Sequence, residues 1–123
     1  MVGQGDPERA QFLQWLWYGE STLMTPVGRL FTMSRLERKG VDIDALIAET
    51  RDNVVVRLRA LEQRLEGRDF LVAGRLTLAD VSASYPLHLV GRLGIDSLLG
   101  PRSAGYRERL RSRPAYRRAA AIP

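Results

Sequence analysis

At 123 residues, with 45 % apolar and 27 % charged side chains, the chain can bury one core of its own and is too short to expect two. It has no cysteine, which excludes disulfides, thiolate catalysis and cysteine-bound zinc and fits a cytoplasmic protein. The longest apolar cluster, Phe12 to Tyr18, is broken by Gln14 and falls far short of a bilayer span, and no basic-then-apolar leader precedes it, so neither membrane insertion nor secretion is expected.

Asp6-Pro-Glu reads as a helix start, with Asp as cap, Pro at the first helical position and an acid in the first turn. From there Phe12, Leu13, Leu16, Trp17, Leu23, Met24, Val27, Leu30 and Phe31 recur at helical spacing and form one broad stripe. Trp15 and Tyr18 fall off that stripe, as surface residues or as a face for docking. Pro26 and Gly28 should bend this helix, and Gly40 should close it.

Asp42 or Asp44 caps a second long helix with Leu46, Ile47, Val54, Leu58, Leu61 and Leu65 on its inner face, ended by Gly67. A third runs from Leu78 to about Leu93, stopped by Gly94. Its stretch Val81–Val90 has no charge if His88 is neutral, so it should be the most buried helix, bent by Pro86. A short turn over Ile95–Leu99 precedes a last helical region after Pro101. There Tyr106 and Leu110 face inward, Pro114 restarts or breaks the helix, and Ala119–Pro123 should fray. Only Phe70-Leu-Val72 could pass for a strand, and it is too short. The fold class is all-α, a helical bundle.

The most complete local signal is Ala73-Gly-Arg-Leu-Thr-Leu-Ala-Asp-Val81. The Thr77 hydroxyl can accept from the N–H of the third helical residue, Asp80, whose carboxylate can reach back to the N–H of Thr77. Leu76 and Val81 are placed as a hydrophobic staple around this capping box.

Seven arginines fall between Arg102 and Arg118, opposed only by Glu108. No Phe or Trp is interleaved for base stacking, so a solvated helix face is preferred to a nucleic-acid or membrane patch. His88, the single histidine, has no metal-ligand partner at helical spacing and reads as a buried, hydrogen-bonded core residue. Ser82 and Ser84 lack a nucleophile elbow, and Gly3-Gln-Gly5 follows no strand, so neither a hydrolase nor a phosphate loop is indicated.

Four segments in order resemble the C-terminal all-helical domain of the glutathione S-transferase superfamily: Phe12-Leu-Gln-Trp-Leu-Trp-Tyr-Gly-Glu-Ser-Thr-Leu-Met-Thr-Pro26, Leu58-Arg-Ala-Leu-Glu-Gln-Arg-Leu-Glu-Gly-Arg-Asp-Phe-Leu71, the Thr77–Asp80 box, and Ser112-Arg-Pro-Ala-Tyr116. The resemblance spans residues 6–120 as one domain. In that family an N-terminal thioredoxin-like domain binds glutathione and stabilises its thiolate, and nothing before Asp6 can be that domain. The resemblance therefore implies half an active site, inactive alone. Its catalytic groups would lie elsewhere, with no tightly bound cofactor or metal and glutathione as co-substrate once the other domain is supplied. The helical domain would give the wall for an apolar small-molecule electrophile and part of a homodimer interface.

By the same resemblance, the wall lies midway along the opening helix, at Trp17, Tyr18, Glu20, Ser21 and Met24. Bacterial relatives often carry Asn, Glu and His where this chain has Trp17, Thr22 and Met24, which leaves the wall apolar here. Glu20 falls inside the stripe between Trp17 and Met24. It either pairs with an arginine such as Arg92, or waits for a missing domain or second subunit, or serves the pocket. For Trp17 and Met24 plain core is the preferred reading over a pocket wall. Thr77 and Asp80 are structural, without chemistry. A second function class stays open: a stand-alone helical interaction module, without catalysis, using the basic face and the aromatics.

Overall fold

The computed structural model describes residues 1–36 and 43–122. Among them there is no strand. The helices run in the order α1 (Arg9–Trp17), a π-helical turn (Tyr18–Leu23), α2 (Met24–Met33), α3 (Ile43–Arg64), α4 (Leu78–Arg92), a 3₁₀ turn (Asp96–Leu98), α5 (Pro101–Arg111) and α6 (Pro114–Ala120). The expected stop at Gly40 and the alternative cap Asp42 lie outside the described residues. No helix is long and apolar enough to cross a membrane, among the described residues.

The opening helix begins two residues later than Asp6-Pro-Glu suggests. The Asp6 carboxylate accepts from the N–H of Glu8 at 2.8 Å, closing a turn ahead of α1. The folded unit also reaches past residue 6, because Val2 is fully buried and its carbonyl accepts from Arg9 Nη1 at 2.6 Å.

The interruption of the opening helix lies at the π turn, upstream of Pro26. Pro26 has no N–H for the carbonyl of residue 22, and its ring would collide with that carbonyl in a regular helix; the widened turn takes up the mismatch.

The buried face of this interrupted helix runs through Phe12, Trp15, Tyr18, Gly19, Leu23, Pro26, Val27 and Leu30. The expected stripe is therefore rotated, by less than one residue's step of about 100°. Trp15 and Tyr18 turn inward, their rings packed 4.6 Å apart, and Trp17 turns out with 63 % of its surface exposed. The cause is Gly19. A Cβ there would lie 2.5 Å from Ser82 Oγ and 2.6 Å from the Ala83 nitrogen, so α4 crosses the opening helix in near backbone contact. Counting apolar side chains overlooks a contact line marked by glycine.

Helix α3 follows its expected face, with Val54, Leu58, Leu61 and Leu65 buried, while Leu46 near its start is partly exposed. Helix α4 continues through Pro86 and buries Ala79, Ala83, Pro86, Leu87, Leu89 and Val90. Its other side is also apolar but open, with Leu78, Val81 and Tyr85 exposed. Val81 thus does not close the expected staple as a buried contact. Gly94 ends the helix at φ +67°, where its N–H donates to the Gly91 carbonyl and that of Ile95 to the Val90 carbonyl, a Schellman motif.

Tyr106 and Leu110 face inward from α5, and Pro114 starts α6 afresh. Helix α6 extends through Ala119 and Ala120. Phe70-Leu-Val72 is irregular backbone, with Leu71 and Val72 fully buried.

Candidate functional site

Three places could carry function: the capping-box centre, the outer face of the opening helix, and a groove between α4 and α6.

At the first, the box forms, with the Thr77 hydroxyl accepting from the N–H of Ala79 at 3.2 Å and Asp80 Oδ2 accepting from the N–H of Thr77 at 2.7 Å. Asp80 is fully buried and does more than cap. Its Oδ1 accepts from the Leu71 N–H and from the Tyr106 hydroxyl, both at 2.9 Å, and its Oδ2 also accepts from the Thr77 hydroxyl at 3.0 Å. One carboxylate therefore ties the link after α3, the start of α4 and the middle of α5. Burial, together with the negative charge of Asp80, pushes the Tyr106 phenol far above its usual value. Four donors on two oxygens leave no free acceptor, and this centre is structural.

A second cap lay beyond sequence reading. Glu62 of α3 accepts from the N–H groups of Arg102 and Ser103 at 2.9 and 2.8 Å and from the Ser103 hydroxyl at 2.7 Å, closing the start of α5 from a distant helix. Burial alone would raise the Glu62 carboxyl, but the Ser103 and Arg102 donors outweigh it and hold its pKa below the ordinary value. Gly100 leaves room for this carboxylate, which a Cβ there would strike.

The proposed wall residues divide. Trp17, Glu20 and Ser21 are exposed, and Met24 is half-buried and packed against the core. Tyr18 points the other way, its hydroxyl donating to the Arg57 carbonyl and burial pushing its phenol well up. Glu20 lies in solvent and forms no ion pair with Arg92. The two are set apart because Gly19 packs at Ser82, and Arg92 lies ten residues further along α4, about 15 Å by helical rise.

The half-open groove between α4 and α6 has a volume of about 580 Å³, and Leu76, Leu110 and Asp80 are among its lining residues. His88 Nδ1 lies 3.2 Å from the Tyr116 hydroxyl across it, so His88 is hydrogen-bonded, as expected, but half-buried at a groove wall. The Tyr85 ring lies nearly parallel to His88, at 6.4 Å and 13°. No group of His, Asp and Glu is disposed to hold a metal ion among the described residues. A smaller hollow beside Trp15, Tyr18 and Arg64 is crossed by the Arg64 bonds to the Leu71 carbonyl and Gln11.

Of the seven C-terminal arginines, Arg102 pairs with Glu66, Arg107 with Asp96 and Arg109 with Asp69. Part of the basic run thus ties α5 to the segments that follow α3 and α4.

The sequence profile of the glutathione S-transferase C-terminal domain matches residues 22–114, more than half of the chain. The chain belongs to the glutathione S-transferase family. Its fold is that of the family's C-terminal helical domain. Glutathione transferase URE2P6 from Phanerochaete chrysosporium, solved with oxidised glutathione, superposes with a TM-score of 0.80 at 26 % identity over 97 % of this chain and 55 % of its own. URE2P8 from the same fungus, also solved with oxidised glutathione, gives 0.81 at 17 % identity over 95 % of this chain and 53 % of its own. The glutathione transferase BgramDRAFT_1843 of Burkholderia graminis, solved with two glutathione molecules per subunit, gives 0.79 at 23 % identity over 99 % and 53 %. This domain spans about half the length of these solved structures. Among curated proteins, none matches it in sequence.

Proposed function

We infer that this domain forms the co-substrate wall of a glutathione transferase. A thioredoxin-like domain would hold glutathione and stabilise its thiolate, and the thiolate would attack an apolar electrophile resting against Trp17, Ser21 and Met24, with Glu20 at the rim. The carrying observation is Trp17, 63 % exposed on the opening helix while its neighbours Trp15 and Tyr18 are buried. Exposing an indole costs burial energy that a second domain and a substrate would recover. Tyr18 leaves the proposed wall, since its hydroxyl and ring are committed to the core. Homodimer contacts and a cytoplasmic setting, where glutathione is abundant, belong to the same reading.

The test uses the indole itself. In a Trp15→Phe variant, Trp17 is the sole tryptophan. Titrating in a thioredoxin-like glutathione-binding domain of the family should blue-shift its emission and saturate. Emission that stays at the solvent-exposed wavelength through a wide titration would refute the wall.

A further inference from the structure

A serine or threonine inside a helix commonly returns its hydroxyl proton to a carbonyl three or four residues back. Thr25, Thr50 and Ser84 do so, on the Ser21, Leu46 and Val81 carbonyls at 2.6, 2.7 and 2.6 Å. Ser82 does not. Its hydroxyl crosses from α4 to the opening helix and donates to the Leu16 carbonyl at 2.8 Å.

The residue so held is the one before Trp17. On the other side, the hydroxyl of Tyr18 donates to the Arg57 carbonyl of α3. Trp17 therefore stands between two anchors, one on α4 and one on α3, at the entry to the π turn. Gly19 completes the arrangement: a Cβ there would lie 2.5 Å from the same Ser82 Oγ, so the missing side chain is what leaves the hydroxyl its place. Positions 16, 18 and 19, around the exposed indole, are all held by neighbouring helices in the free domain.

We propose that Ser82 is a positioning residue for Trp17. By holding the Leu16 carbonyl it sets the direction in which the indole leaves the opening helix before any co-substrate arrives. The proposal rests on the reading of Trp17 as a co-substrate wall and adds the device that keeps this wall fixed. An exposed side chain of this size would otherwise be ordered by its ligand, and ordering it beforehand removes that cost from binding. Ser82 acts through the backbone at Leu16 and touches no ligand.

Nitrogen-15 relaxation of the two indole N–H groups in the 123-residue chain reads the order of Trp15 and Trp17 separately. The Trp17 indole should have an order parameter above about 0.6 in the wild type and below it in Ser82→Ala, with Trp15 unchanged. Ser84→Ala, which removes a hydroxyl bonded within α4, should alter neither indole. A Trp17 indole already mobile in the wild type, one equally ordered in Ser82→Ala, or an equal loss at both indoles would overturn the proposal. Joined to a thioredoxin-like glutathione-binding domain of the family, Ser82→Ala should raise the KM for a chlorinated aromatic electrophile about two- to tenfold, the worth of one neutral hydrogen bond, with kcat little changed. An unchanged KM would also overturn it. The relaxation measurement needs neither glutathione nor a second domain. A joined wild type without turnover would therefore tell against the wall at Trp17, while the role of Ser82 stands or falls on the order of the indole.

Discussion

Replacing Asp80 by alanine should destabilise the domain far more than loss of a helix cap. A cap alone is worth about 0.5–2 kcal/mol. Here the substitution also leaves the Leu71 N–H and the Tyr106 hydroxyl without an acceptor in a fully buried place, at about 1–3 kcal/mol for each donor so stranded. Some of that returns if water enters the space, so the expected loss is about 3–5 kcal/mol, against a total of about 5–15 kcal/mol for a domain of this kind. Asp80→Asn keeps one acceptor oxygen but turns an NH₂ toward either the Leu71 or the Thr77 N–H, and should cost about 1–3 kcal/mol. Tyr106→Phe removes one hydrogen bond to a charged group and should cost about 1.5–3 kcal/mol. Urea unfolding followed by circular dichroism measures all three, with the denaturant slope unchanged if the variants stay two-state. If Asp80→Ala lies within about 0.5 kcal/mol of the wild type, the account of this centre is wrong.

Gly19→Ala should cost about 1–3 kcal/mol, because the added carbon meets the backbone at Ala83 and the helices must separate; a melt near that of the wild type would show that the crossing is loose. Glu62 has a folded pKa below its unfolded value of 4.5, so its contribution is complete above that pH and is lost as pH falls through the folded value. Glu62→Gln should therefore flatten the acid limb of the stability–pH curve, and an unchanged limb would exclude Glu62 as the α5 cap. Tyr18 and Tyr106 have folded pKa values raised above the ordinary 10.0, so the stability they contribute is present below pH 10 and is lost as pH rises. Both should stay protonated until the fold opens in alkali, giving a jump in phenolate absorbance at unfolding that shrinks in Tyr18→Phe and in Tyr106→Phe; phenolate formation before unfolding would contradict their burial.

The helix boundaries that local chemistry writes into a few residues were legible: Thr77 with Asp80, Gly94 at the end of α4, Pro101 and Pro114 at the starts of α5 and α6. Caps and glycine stops act over three or four residues, which a sequence displays directly. The phase of the opening helix was not legible, because its inner line passes through Gly19 and Pro26, which carry little hydrophobic weight yet mark where α4 and the π turn come closest. That exchanged Trp15 and Tyr18 with Trp17. Glu62 was equally hidden, since its partners at Arg102 and Ser103 are forty residues away and no local pattern connects them. Of the proposed wall residues, Trp17, Glu20 and Ser21 are exposed, Met24 is half-buried and Tyr18 is buried. The groove escaped sequence reading because it needs α4 and α6 side by side, with Ile122 in a tail expected to fray.

The measurement that bears most directly on the central claim is glutathione conjugation of a chlorinated aromatic electrophile, by this chain alone and joined to a thioredoxin-like glutathione-binding domain of the family. The account predicts no turnover by the chain alone, turnover when the domain is joined, and a raised KM for the electrophile in the joined Trp17→Ala variant; in the chain alone the same substitution should change stability by less than about 0.5 kcal/mol because Trp17 is exposed there. Turnover by the purified chain alone, or a joined Trp17→Ala protein with unchanged kinetics, would contradict it.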